Sequence, residues 1–284
     1  MEYEFVTYET HDNICWITLN RPEKLNALNE GLQRDLFAAL DEADQDWDVR
    51  CIVIKAAGRA FCAGYDVAPS PERAYREDRG TNLQWDINNM RRLGKKWNDM
   101  WNISKPVLCQ VHGYCLAAGT DIAVHSDIII VAEDAQIGFP PVRNLGTPAT
   151  HMWTYLIGPQ WTKWAFFTGD NFSGKQAAEI GWAWKAVPGE QLEETVNELA
   201  GRIARVSYEM LAASKSICNK AIDLMGRSLL QTLAAETDAV SHQSTAVQEF
   251  HRMSREQGLK EALRWMNAPF QDYGKGQQEK TKAE

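Results

Sequence analysis

Apolar residues follow two rhythms along this chain. Residues 4–9 and 14–20 (ICWITLN) are rich in β-branched and aromatic side chains, and with a His-Asp-Asn turn between them they predict a hairpin. Residues 51–55 (CIVIK) and 128–132 (IIIVA) are unbroken apolar runs of the kind buried on both faces of a sheet. Residues 104–111 (SKPVLCQV) return as a strand, with Pro106 tolerable only near its beginning. Between these runs the spacing turns helical. Asn29 is placed to cap a helix through about Asp46, with Leu32, Leu36, Ala39, Leu40 and Ala43 on one face. Residues 83–101 predict a second helix. Two strand–helix–strand crossovers before residue 135 predict a parallel sheet with helices packed outside it, an α/β architecture.

The second half reads differently. A Pro- and Gly-rich loop over 138–148 leads to predicted helices around 149–157, 160–168 and 174–180. Helical spacing continues over 192–203, 208–225, 228–250 and 259–265. Residues 69–80, polar and charged with a leading proline, read as a mobile loop. The stretch after Tyr273 has no apolar content and reads as a disordered tail. The pattern divides the chain into a core over 1–200, a helical region over 201–270 and a tail over 271–284.

Bulk composition narrows the function classes. A chain of 284 residues, 44% hydrophobic, can build one substantial core with a smaller appendage. The net charge of −8 and the lack of a basic face argue against nucleic acid. No apolar run approaches the roughly 18–20 residues that span a bilayer. The acidic start, MEYEFVTYETHD, has no apolar segment of a secretory signal. The six cysteines form no CxxC pair and sit mostly in apolar runs, as buried thiols of a reducing compartment do. These features imply a cytoplasmic protein without a membrane partner or a metal. Eleven tryptophans, including the pairs Trp97/Trp101, Trp161/Trp164 and Trp182/Trp184, read as core and interface packing.

One stretch concentrates the chemistry. Residues 111–127, VHGYCLAAGTDIAVHSD, read as a strand end, a turn at Gly113 and a helix of small residues carrying Asp121. Bare backbone at a helix start offers unpaired N–H groups to an anion or a polarised oxygen. Taken in order, NRPEKLNAL (20–28), AFCAGYD (60–66), HGYCLAAGTD with SDIIIVAEDAQIG, then Leu145-Gly146, FTGD and AAEIGWAWKAVP resemble the crotonase (enoyl-CoA hydratase/isomerase) superfamily. The likeness covers roughly residues 5 to 265.

That resemblance implies a crotonase-like spiral of ββα units with two sheets, and a helical C-terminal region used for trimerisation. The expected assembly is a homotrimer or a dimer of trimers. It implies no permanently bound cofactor, the substrate being carried as a coenzyme A thioester. Family chemistry passes through an enolate oxyanion held by two backbone N–H groups, which fall by motif position on Tyr65 and Ala118. Lys24, Leu25 and Ala27, with Ala63, Gly64 and Asp66, match the positions that hold coenzyme A. Lys24 would meet a phosphate, and Phe270 would close the site, either of its own subunit or of a neighbour. Asp66 would also fix the geometry of its loop.

The sequence departs from the family at the acid/base pair. The first glutamate position is Asp121, one methylene shorter; the second falls on Pro141 or Val142, which cannot move a proton. His151, Arg143 and Tyr114 are candidate substitutes, whereas His112 and His125 read as packing residues and Asp170 as a turn or helix-cap aspartate. Three functions remain open at this point. They are hydration of a 2-enoyl-CoA (or its reverse) with Asp121 as acid/base; isomerase, C–C hydrolase/lyase or decarboxylase chemistry on a bulky acyl-CoA; and acyl-CoA binding without catalysis.

Overall fold

The computed structural model describes residues 3–68 and 70–270. The tail over 271–284 lies outside the described residues. The chain opens with β1 (Val6–His11) and β2 (Ile14–Leu19), an antiparallel hairpin. Its turn is shorter than predicted: His11 stays in the strand, and Asp12 and Asn13 alone turn the chain with φ of 53° and 62°. Two successive positive φ values match the right-handed twist of a hairpin, and Asp and Asn tolerate them.

Helix α1 (Glu30–Gln45) starts where Asn29 Oδ1 accepts from the Leu32 N–H at 2.8 Å, a cap worth about 1 kcal/mol. Its predicted face, from Leu32 to Ala43, is buried. Then follow β3 (Cys51–Ala56), α2 (Pro71–Gly80), α3 (Leu83–Trp101), β4 (Val107–Val111), β5 (Tyr114–Leu116), α4 (Ala118–Val124), β6 (Ile128–Ala132) and β7 (Gln136–Gly138). The mobile loop expected over 69–80 is instead mostly helix. Pro71 at the helix start lacks only an N–H that would have no partner there, and Ala74 N–H donates to the Ser70 carbonyl at 2.9 Å.

The six-stranded sheet has the order β1-β2-β3-β4-β6-β9, parallel except for β1. Its inner strands carry the apolar runs, and Ile52, Val53, Ile54, Val107, Leu108, Ile130 and Val131 are all fully buried. A second sheet, β5-β7-β8, is too short to leave an apolar run in the sequence. Its last strand is β8 (Phe172–Ser173), preceded by α5 (Trp153–Thr168) and followed by α6 (Gly174–Glu179) and β9 (Lys185–Val187). The predicted helices over 149–157 and 160–168 form one element, α5, starting at Trp153 and kinked at Gly158, whose φ of 69° and ψ of 174° break the ladder beside Pro159.

The helical third comprises α7 (Leu192–Ile203), α8 (Tyr208–Leu224), α9 (Arg227–Ser241), α10 (Thr245–Gln257) and α11 (Leu259–Asn267). The single helix predicted over 228–250 is two. Ser244 interrupts it and caps α10 through the Val247 N–H at 3.4 Å. Helix α9 packs along α3, and Phe250, Ala262 and Met266 form a small second core. Among the described residues, no helix is long and apolar enough to cross a membrane.

Candidate active site

Three loops lock together at one corner of the fold. In the first, Leu25 and Asn26 both have φ of 52°, and the Asn26 side chain is fully buried. Its amide donates to the carbonyls of Ala57 and Ala60, both at 2.8 Å, and its Oδ1 accepts from the Arg21 N–H at 2.8 Å. Arg21 in turn donates to the Ala27 carbonyl at 3.0 Å and pairs with Asp66 at 2.7 Å. Asp66 thus ties the loop carrying residues 60–66 to the loop carrying Lys24, Leu25 and Ala27. Lys24 itself is exposed.

The second loop runs as an extended ribbon between the first and β5. Ala63 N–H donates to the Leu25 carbonyl at 3.0 Å, and Leu28 N–H to the Gly64 carbonyl at 2.8 Å. On the other side, Cys62 N–H donates to the Tyr114 carbonyl at 3.0 Å, and Leu116 N–H to the Cys62 carbonyl at 2.9 Å. The third loop turns from β5 into α4 through Ala117, whose φ of 52° and ψ of −126° are strained for a residue with a side chain.

Gly64 is where the second and third loops touch. Its φ is 101°, and a Cβ there would lie 2.6 Å from Ala117 Cβ and 3.4 Å from Ala118 N. Gly119 is as constrained, since its Cβ would stand 2.4 Å from the Cys62 carbonyl oxygen. Only glycine permits this approach. It brings Tyr65 N–H and Ala118 N–H to the same corner. Ala118 opens α4, so its N–H has no acceptor within the helix. Among the described residues neither N–H has a hydrogen-bond acceptor.

Asp121 lies one turn into α4 and is 6% exposed. Its Oδ1 accepts from the Thr150 hydroxyl at 2.5 Å, and among the described residues no cation pairs with it. Burial pushes its carboxyl up to about 7; the Thr150 hydrogen bond opposes that rise, and the charge of Asp238 adds to it. The Tyr65 phenol, which accepts from Trp97 Nε1 at 3.2 Å, is held well above its ordinary value by burial and then by Asp121, so it stays neutral.

His125 supports Asp121 from behind. Its Nδ1 donates to the Asp121 carbonyl at 2.8 Å, its Nε2 is 3.1 Å from the Gln231 amide, and its ring stacks on Trp97. Burial lowers its pKa to about 4, which keeps it neutral, with one nitrogen donating and the other accepting. His112 likewise contacts backbone, with Nε2 2.9 Å from the Gly58 carbonyl. His151, next to Thr150, has a strained φ of 25°, a lowered pKa through burial and a 2.7 Å contact to the Thr154 hydroxyl. Tyr114 sits in β5, paired with Gln136 of β7.

One expectation needs correction. Arg143 is 3% exposed and donates to the Thr168 carbonyl at 2.7 Å, Asn267 Oδ1 at 3.0 Å and Asp170 Oδ1 at 2.7 Å. Its guanidinium is bound into the frame and cannot replace the missing acid. Asp170, in the turn between α5 and β8, is correspondingly the buried partner of Arg143. The Phe270 ring lies over the Arg143 guanidinium at 4.0 Å. Pro141 and Val142 lie in a 3-10 turn (Pro140–Arg143), and neither side chain can carry a proton. The residues missed from the sequence are Asn26, Arg21 and Thr150. Their side chains act on backbone or on a residue distant in the chain, and such pairings leave no local pattern.

These features agree with the comparisons to known proteins. The family model described as enoyl-CoA hydratase/isomerase matches residues 9–265. The chain is similar to the crystal structure of an enoyl-CoA hydratase from Mycobacterium smegmatis, with 34% identity and a TM-score of 0.89 over 95% of this chain and 96% of that one. In sequence it is 29% identical to the hydroxycinnamoyl-CoA hydratase-lyase of Pseudomonas fluorescens over 92% of each chain. It is 30% identical to the 1,2-epoxyphenylacetyl-CoA isomerase of Escherichia coli, over 77% of this chain and 83% of that one.

Proposed function

We propose that this chain, which belongs to the enoyl-CoA hydratase/isomerase family, adds water to a 2-enoyl-CoA thioester, or removes it from the 3-hydroxyacyl product. The observation that carries this reading is the pair of unpartnered N–H groups of Tyr65 and Ala118 at one corner, with the raised carboxyl of Asp121 one turn away. The thioester oxygen sits between the two donors. As water attacks Cβ, Asp121 takes its proton and the electron pair of the double bond moves to the thioester oxygen. Asp121 then returns the proton to Cα, and the enolate collapses to the 3-hydroxyacyl thioester. Each backbone donor of this kind contributes about 10²–10³ in rate.

The coenzyme A arm lies along Lys24, Leu25 and Ala27 on one side and Ala63, Gly64 and Asp66 on the other. The Arg21–Asp66 pair and the buried Asn26 amide support this placement by fixing both loops. His151 and Phe270 take secondary parts, His151 beside the acyl group and Phe270 over the coenzyme arm of its own or a neighbouring subunit.

A second reading, isomerase or C–C lyase chemistry on a bulky acyl group, is favoured by aromatic rings around His151. Phe166 lies 5.7 Å from His151, 5.2 Å from Trp153 and 5.9 Å from Phe139, centroid to centroid.

The protein works as a homotrimer or a dimer of trimers through the region 201–270. Met210, Ile217 and Leu224 recur every seven residues along α8 and are 60%, 65% and 90% exposed. An unpartnered apolar row of this length marks an association surface. The reducing interior of a cell suits its free cysteines, of which only Cys218 is exposed.

Incubating the protein with crotonyl-CoA and with longer and aryl 2-enoyl-CoAs in ¹⁸O-labelled water tests the main reading. Loss of the conjugated-thioester absorbance with label in a 3-hydroxyacyl product is expected. Cleaved or isomerised product without label would favour the second reading, and no turnover on any of them would sink both.

A further inference from the structure

The acid absent from the segment over 138–143 has a counterpart in another part of the fold. Asp238 lies in α9 and is 5% exposed. Its Oδ1 accepts from the Thr147 N–H at 2.6 Å and from the Thr147 hydroxyl at 3.3 Å. Three residues further along the same loop, Thr150 donates to Asp121. Three extended residues span at most about 11 Å, so one short loop ties both carboxylates. His242 also contacts Asp238, with Nε2 3.5 Å from Asp238 Oδ1 and Nδ1 2.8 Å from Asp86 Oδ2 in α3. A Cβ on Gly146 would lie 2.8 Å from Asp238 Oδ1 and 2.9 Å from His242 Nε2, so a glycine lets the loop backbone close on the pair.

We propose that Asp238 is the second carboxylate of this site, a positioning residue that acts on Asp121 through the 147–150 loop and through its charge. The inference rests on the reading of Asp121 as the proton-transfer group. Asp238 does not exchange a proton with substrate. Ionised, it makes Asp121 a stronger base, and through Thr147 it fixes the loop whose Thr150 orients the Asp121 carboxylate. Burial raises the proton affinity of Asp238, while His242 and Thr147 lower it. Asp238 in turn adds to the rise at Asp121 and Tyr65.

The groups facing this pair come from several elements. Tyr65 and Cys62 face it from the second loop, Cys115 from β5, His125 from α4, Asp86 from α3 and His242 from the end of α9, while Arg227 at the start of α9 acts on His125. Arg227 is engaged with Asp223, Asn98 and Gln231. Among the described residues no lysine or arginine pairs with Asp238 or Asp121, and His242 moderates the charge of Asp238.

The test is the pH dependence of kcat/KM with crotonyl-CoA. Asp238→Asn should move the limb that reports Asp121 to lower pH by at least about half a unit, because a neighbouring like charge has gone. Asp238→Glu should restore it. A limb that stays in place in a folded Asp238→Asn protein would overturn the proposal. If that variant unfolds, the resting protein carries the same test from the other side. In the parent, the ¹³C resonance of the Asp238 carboxyl should show an inflection near pH 7, where Asp121 ionises, that is absent in Asp121→Asn, and a parent resonance without it would overturn the coupling. Activity surviving in Asp121→Asn would instead count against the reading of Asp121, so the two failures are distinct.

Discussion

Two buried charges meet at the segment over 138–150, Arg143 within it and Asp121 held by its Thr150, and the fold treats them in opposite ways. Arg143 is matched on all sides: a carbonyl, an amide oxygen and a carboxylate accept from it, and an aromatic ring covers its face. Asp121 is as buried but accepts one hydroxyl hydrogen bond and faces a second carboxylate instead of a cation. A charge that is fully paired holds a structure together. One left under-compensated keeps a proton affinity near neutrality, where a proton can be taken and returned at little cost. Burial is equal at the two positions, so what separates frame from chemistry is the inventory of partners.

Substitutions at the two positions should therefore part company. Asp121→Asn should lower kcat for 2-enoyl-CoA hydration by about 10²–10⁴, measured by loss of the conjugated-thioester absorbance, with acyl-CoA affinity by calorimetry little changed. The same variant should be more stable than the parent at pH 8. A carboxyl raised to about 7 in the folded state opposes folding once pH exceeds its unfolded value near 3.8. That penalty grows as pH rises and levels off above about pH 7, at an order of 2–4 kcal/mol. Arg143→Met should do the reverse, destabilising the fold by about 3–5 kcal/mol in urea titrations because Asp170 is left buried and unpaired, while the folded fraction keeps its turnover.

The next effect in size lies at the donor corner. Gly64→Ala forces a Cβ to within 2.6 Å of Ala117 at a φ of 101°. Displacing one donor should lower kcat by about 10²–10³ and leave the binding of free coenzyme A within a few-fold. The smallest expected effect is Thr150→Val. Without the hydroxyl that opposes the rise, Asp121 should bind its proton more tightly, moving the kcat/KM limb to higher pH by about one unit or less. A shift to lower pH would mean that Thr150 supports Asp121 in some other way.

The fold was legible wherever one local rule governed a whole element. The Asn29 cap, the α1 face and the buried strands followed from spacing and side-chain shape alone. The helix over 71–80 was misread because its residues are almost wholly polar; its ties are to other elements, as in the Glu77 pair with Arg255 of α10. The second sheet left no trace because its strands are two or three residues long.

At the candidate site the backbone loops stood out through their glycines, and Asp121 through its isolation among small residues. The partners that set its chemistry did not. Thr150 is 29 positions away, and Asp238 lies on a helix tied to the site through residues 91 and 106 positions apart, Asp238 to Thr147 and Gln231 to His125. Arg143 was misjudged for the same reason, since its partners Asp170 and Asn267 lie 27 and 124 positions away.

The central claim is that Asp121 moves the proton from a buried position lacking a cation. The most direct measurement is the pH dependence of kcat/KM for the unmodified protein on a 2-enoyl-CoA, followed from pH 5 to pH 9. The account predicts a rise to a plateau with a midpoint near 7, set by ionisation of Asp121. A profile flat across that range, with activity intact, would contradict it.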